Sequence, residues 1–307
     1  PRSTLFPYTT LFRSPRLLYC HIRGYGPGPR HEDLATNPVA EAATGVMEDH
    51  RIDGRPSRLG PSYHDQFAGT YAVIRIMAML LDPPRAARDR YLEIGLYETG
   101  LHLAARDLAG QQLKMQLLGR PEKEGGGEFS MPGYGAYRTA DGRWIYLLVL
   151  TDAHWRKLTG ALAMPEGAEP ELLRLRERKK QRGRVEAAVS RAVSTLEYEA
   201  AAARLMAAGV GFTEVLPLER VLDEPQARAP GKLHDMCFGG LAFEVPAFPG
   251  PLNAQSVSPP PRLGEHTVEL LLSLGYEEKQ CASLCGEGAV MVADRTAPVW
   301  PVPQGGA

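Results

Sequence analysis

Several functional classes are excluded by what this chain has little of. Its 307 residues include four cysteines, Cys20, Cys237, Cys281 and Cys285, and no C-x-x-C pair. That is too few for a disulfide-stapled secreted scaffold, and the spacing is wrong for a paired-cysteine zinc site. Reduced thiols in a cytoplasmic protein with no structural metal are expected. An excess of charge is also missing. The formal net charge is −1, so no global field draws in nucleic acid or an anionic membrane surface. The longest apolar run is interrupted by Arg75 and is too short to span a bilayer. The basic stretch at 172–193 lacks interleaved aromatic residues, so it reads as a solvated helical face, not a nucleic-acid patch. No initiating Met opens the sequence, and "PRSTLFPYTTLFRS" lacks the basic end and apolar core of a signal peptide. It reads like translated sequencing adapter. Residues 1–14 are therefore expected to be foreign, with native chain continuing upstream; a disordered native tail is the alternative.

What is present is an ordinary globular composition, 44% hydrophobic and 23% charged, in a chain long enough for a sizeable core and two domains. "RLLYCHIRGYGPGPR" (16–30) predicts a strand ending in a Gly/Pro loop. "NPVAEAATGVMED" (37–49) predicts a short helix with Asn37 as its cap and Pro38 in its first turn. Residues 90–110 start as a strand and become helical. A Gly-rich, charged stretch at 119–144 feeds the strand "WIYLLVL", and a helix follows from "HWRKLTGAL". Residues 246–261 are Pro-rich and suit an extended connection, after which "GEHTVELLLSLGY" predicts a last helix.

The stretch "GPSYHDQFAGTYAVIRIMAMLLDPP" (60–84) carries the most information. Thr70–Leu81 predicts a buried helix stopped by Pro-Pro, with His64 and Asp65 at its mouth and Gly69 four residues after the acid. On residues alone, Asp65 is a helix cap.

Six segments in this order resemble the class III CoA-transferases, the CaiB/BaiF family. They are "HIRGYGPGP", "NPVAEAATGVM", "HDQFAG", "YLEIGLYET", "GGGEFSMPGYGAYRTADGRWIYL" and "RLGEHTVELLLSLGY". The likeness runs from about residue 16 to about residue 290, and the family's N-terminal portion has no counterpart. The resemblance implies an α/β fold: part of a Rossmann-like large domain at 15–118, a smaller α/β domain at 119–205, a return toward the large domain over 206–285, and a tail at 286–307. It also implies an interlocked homodimer, with extended connections at 111–128 and 206–262.

The same resemblance makes Asp65 the catalytic, acyl-accepting carboxylate, because "HDQFAG" matches the family's G-D-x-x-x-G segment. Gly125, Gly126 and Gly127 fall at its mobile glycine loop. Together with Asn37 and His64 they form the expected substrate-binding set. His64 stands where the family usually has Gly; it narrows the acyl site, adds a proton donor or points to solvent. The substrates implied are a coenzyme A thioester and a free carboxylic acid, with no permanently bound cofactor. Two alternatives stand beside this reading. An acyl-CoA racemase of the same family needs an imidazole near Thr36, and "LATNPVAEA" has none. An inactive fragment is the other.

Overall fold

The computed structural model describes residues 17–82, 90–119, 131–250 and 258–294. Its contacts divide the chain into two units, one of residues 1–140 and 146–212, the other of 141–145 and 213–307.

In the first unit, β1 (Tyr19–Arg23) and β4 (Tyr91–Gly95) pair in parallel, with Tyr19 opposite Tyr91 and Arg23 opposite Gly95. Parallel strands need a long crossover. Here it consists of α1 (Asn37–Ala43), α2 (Val46–Asp49), a short ribbon of β2 (Arg51–Ile52) and β3 (Arg55–Pro56), and α3 (Tyr63–Leu81). β4 runs directly into α4 (Leu96–Leu103), and α5 (Ala105–Leu118) follows. Ala40 of α1, Ala68 of α3 and Leu96 of α4 pack as one buried cluster, with Ile94 against them. The alanines have no bulk to hold the helix backbones apart, so three elements converge at this point.

Further along the same unit come β5 (Gly135–Arg138), β6 (Trp144–Leu148), α6 (Asp152–Ala161), α7 (Leu175–Lys180), α8 (Arg182–Ser194) and α9 (Tyr198–Ala207). A second core forms from Trp155, Leu158, Leu172, Val185, Val189, Val193 and Leu205, all fully buried. The division between the units cuts β6 and β7 (Gly211–Glu214). In the second unit β8 (Leu233–Phe238) and β9 (Leu241–Pro246) form an antiparallel hairpin. Its two loop residues, Gly239 and Gly240, both have positive φ, as a tight type I′ turn requires. α10 (Thr267–Ser273) and α11 (Glu278–Gly286) complete it, the latter opened by a capping box of Glu277 and Gln280.

The mixed α/β class and most elements match the sequence reading; five local expectations are corrected. α3 begins at Tyr63, so Asp65 lies inside its first turn and not ahead of it. Polar residues in a first turn cost a helix little, and the apolar run alone marked the start too late. α3 is also not a buried helix. Only His64, Ala68 and Ala72 are buried, a face with four-residue spacing, while Val73, Ile74, Met77, Leu80 and Leu81 are each more than half exposed. The N-cap position of α1 is Thr36, whose side chain makes no capping bond, because Asn37 is already helical and its side chain is engaged elsewhere. Residues 111–118 belong to α5, and 233–246 form the hairpin, where extended chain was expected. The basic run is solvated as expected except at Arg178, which is buried, as are the apolar Leu172, Val185, Ala188, Val189 and Val193. Arg178 donates to Asp152 Oδ1 and to the Leu172 carbonyl, each at 2.9 Å, and its guanidinium lies 5.2 Å from the Trp155 ring centroid. Among the described residues, no helix is long and apolar enough to cross a membrane.

Candidate active site

The sequence-predicted residues Asn37, His64 and Asp65 come together where α1 meets the start of α3. Asp65 is the third residue of α3, and its side chain is exposed. Among the described residues, no hydrogen bond or ion pair reaches its carboxylate. The cap position belongs to Ser62, whose side chain makes no capping bond. Asp65 therefore faces solvent with nothing to neutralise it except the helix N-terminus, which favours an ionised acid by about 0.3–1 kcal/mol.

The N–H groups of that first turn are largely spent. Tyr63 N–H donates to the Pro61 carbonyl at 2.8 Å, His64 N–H to Asn37 Oδ1 at 2.9 Å, and Gln66 N–H to the Ser62 carbonyl at 3.0 Å. The N–H of Asp65 itself has no partner among the described residues. An oxyanion forming beside Asp65 would thus find one free main-chain donor of this turn, not the several that an uncapped helix N-terminus offers.

Beneath the carboxylate lies a buried polar layer. His64 is 1% exposed and Asn37 2% exposed, and Glu41 is fully buried. Asn37 Nδ2 donates to Glu41 Oε1 at 2.6 Å, and the other Glu41 oxygen lies 4.0 Å from Arg58 Nε. The imidazole Nε2 of His64 sits 3.3 Å from Thr44 Oγ1, while Nδ1 has no partner among the described residues. Burial lowers the His64 pKa, with Glu41 and Asp65 pulling the other way; the ring is held neutral. Of the three roles expected for His64, pointing to solvent is corrected: its side chain faces inward, as does that of Asn37. The third member of the expected set, the triplet Gly125, Gly126 and Gly127, lies outside the described residues.

Two features of this layer escaped sequence reading. One is Glu41, a lone acid in "VAEAAT" whose four-residue spacing from Asn37 puts both on one face of α1. The other is Gly100 of α4. A Cβ there would lie 2.2 Å from His64 Nε2 and 2.8 Å from Thr44 Cγ2. Both neighbours are buried, so neither can swing away. Gly100→Ala is expected to lower stability by about 1–3 kcal/mol, despite the better helix propensity of Ala. Adding His64→Ala should recover most of that loss in urea unfolding; a double variant no more stable than Gly100→Ala would show that the two residues do not compete for this space.

Gly69, one turn beyond Asp65, is the reverse case. Among the described residues, a Cβ placed there meets nothing within 4 Å, so none of their backbone approaches it, contrary to one reason for a glycine at this position. His31 is a loop residue whose Nε2 lies 2.8 Å from Glu93 Oε1 and 2.7 Å from Arg23 Nη1. It is tied into the β1–β4 edge.

The family model described as CoA-transferase family III matches residues 5–267. The succinate–glutarate CoA-transferase of Agrobacterium fabrum is 26% identical over 279 residues, covering 87% of this chain and 67% of that protein. The human succinyl-CoA:glutarate CoA-transferase is 25% identical over 296 residues, covering 90% and 64%. This chain thus spans about two thirds of the length of these relatives. Among solved structures, a CaiB/BaiF family protein from Brucella suis superposes with a TM-score of 0.70 at 22% identity, covering 88% of this chain and 71% of that one. With the family match extending over most of its length, the chain belongs to CoA-transferase family III.

Proposed function

We propose that this protein moves CoA from an acyl-CoA thioester to a free carboxylic acid, with Asp65 as the acyl-accepting group. The observation that carries the reading is an exposed carboxylate in the first turn of α3, without a partner among the described residues, within a chain of this family. A carboxylate is a weak nucleophile, but a CoA thiolate leaves easily, with a thiol pKa of about 8.5 if it behaves like cysteine. Attack by Asp65 forms a C–O bond and breaks the C–S bond, giving a mixed anhydride and CoA thiolate. The thiolate then attacks the aspartyl carbonyl and expels the donor acid, leaving an aspartyl-CoA thioester. The acceptor carboxylate repeats these two steps in reverse and leaves with CoA, and Asp65 is free again. No general base and no bound cofactor is needed, which agrees with a site built on one carboxylate and a neutral, buried histidine.

An anhydride must be shielded from water, a role proposed for Gly125, Gly126 and Gly127 as a closing loop. The large domain is proposed to be Rossmann-like, the assembly an interlocked homodimer and the location the cytoplasm. The exposed apolar stripe of Val73, Ile74, Met77, Leu80 and Leu81 supports a covered face of that kind, and sedimentation of the purified protein tests it. The names of the relatives make succinyl-CoA and glutarate the first pair to assay. Formation of glutaryl-CoA, resolved chromatographically, supports the reading. Absence of transfer from any acyl-CoA to any acid tried, in a folded preparation, would overturn it.

Gly69 gives a second test. A glycine inside a helix costs about 0.5–1 kcal/mol relative to Ala, and among the described residues no contact at this site offsets that cost. If the open space beside it receives the acyl-CoA, Gly69→Ala should raise the melting temperature yet increase KM for the thioester by about tenfold. Unchanged kinetics in a stabilised variant would remove Gly69 from the site.

A further inference from the structure

We infer that Asn37 is a positioning residue: it acts as a cap supplied in trans to the turn that carries Asp65, and Glu41 fixes its orientation. The inference rests on the proposed role of Asp65 and adds to it a chain of donors and acceptors. The Ser62 side chain provides no capping bond for α3. The His64 N–H, one residue before Asp65, is taken instead by Asn37 Oδ1 at 2.9 Å, from a residue 27 positions earlier on α1. An amide can present either of its two ends to that N–H, and only the oxygen accepts. Glu41 settles the choice, because its Oε1 takes the Asn37 Nδ2 donor at 2.6 Å. All three residues are buried, so water cannot substitute for a lost partner. With this bond made, the first turn of α3 has no free N–H at His64 and no slack with which to fray. Asp65 rides on that turn.

The direction of the bonds makes the inference testable by exchange of partners. Asn37→Asp alone sets two carboxylates against each other and leaves no donor between them. Glu41→Gln alone keeps an acceptor facing Asn37. The double variant Asn37→Asp with Glu41→Gln restores the whole relay in the opposite sense. The amide introduced at position 41 donates to the carboxylate introduced at position 37, which still accepts from His64 N–H. Two readouts apply, kcat with succinyl-CoA and glutarate, and hydrogen exchange of the His64 amide, which needs no turnover. Asn37→Asp should lower kcat about 100-fold, the scale of a displacement near 1 Å, with KM within about threefold because Asn37 does not reach solvent. The His64 amide should exchange faster by a similar factor. Glu41→Gln, which can still accept from Asn37 but no longer only accepts, should fall between wild type and Asn37→Asp in both readouts, and the double variant should recover both. The inference is wrong if Asn37→Asp keeps wild-type kcat and a slow His64 amide, or if the double variant is no better than Asn37→Asp. Its failure differs from failure of the functional reading: there, wild-type protein transfers no CoA, or Asp65→Asn still turns over, while the exchange data independently decide the role of Asn37.

Discussion

Asp65→Asn is expected to abolish CoA transfer while leaving the fold intact. Asn keeps the size and shape of the side chain but has no carboxylate to take up the acyl group. Loss of a covalent nucleophile costs at least about 10³-fold in kcat. The stability cost is small. Asp65 is exposed, makes no side-chain hydrogen bond among the described residues, and is not the cap of α3. Only the favourable charge at a helix N-terminus is lost, about 0.3–1 kcal/mol. A carboxylate present merely to stabilise the helix predicts the opposite pattern, a small loss of stability with turnover retained. Urea unfolding and steady-state assay of the same preparation separate the two.

Asp152→Ala is expected to give the largest loss of stability. Arg178 is fully buried, and its partners are the Asp152 carboxylate, the Leu172 carbonyl and the face of Trp155. Burial lowers the guanidinium pKa, and Asp152 is the main influence opposing that. Removing Asp152 leaves a buried cation without its counterion, which typically costs about 3–5 kcal/mol. Because the Asp152 side chain is 42% exposed, water can replace part of its effect, and a loss of about 3 kcal/mol, the lower end of that range, is expected. Asp152 Oδ1 also accepts from the Leu175 N–H at 2.7 Å, so the junction ahead of α7 loosens too. Replacing both residues, Asp152→Ala with Arg178→Met, should recover part of the loss, since the buried charge disappears with its partner. A single variant within about 0.5 kcal/mol of wild type, the level of an ordinary surface change, would show that the pair is not structural.

The elements whose signal is local were legible in the sequence. "YLEIG" followed by "LYETGLHL" reads as strand then helix, and the structure has β4 and α4 there. "WIYLL" reads as a strand and is β6. What could not be read depends on which face of an element meets which neighbour. In α3 the apolar run predicted burial, but the buried face is His64, Ala68 and Ala72 and the large side chains point outward. Small residues, not bulky ones, mark the close packing. Arg178 in "RLRERKKQRGR" resembled its charged neighbours, and nothing short of the fold shows it inserted against Trp155. At the site, Asp65 was singled out through its motif, and its role there is the proposal. Asn37 was in the expected set and its four-residue spacing from Glu41 can be read in the sequence, but its bond to α3 spans 27 positions and leaves no pattern in either segment.

Everything proposed for this site requires that the Asp65 carboxylate become acylated during turnover. The most direct measurement is hydroxylamine trapping while the protein turns over succinyl-CoA and glutarate, followed by peptide mapping by mass spectrometry. An aspartyl anhydride or thioester is attacked by hydroxylamine, whereas a resting carboxylate is not. A hydroxamate is expected on Asp65, formed only in the presence of the thioester and absent from every other acidic residue. Robust CoA transfer with Asp65 unmodified, or with a hydroxamate on a different carboxylate, would contradict this.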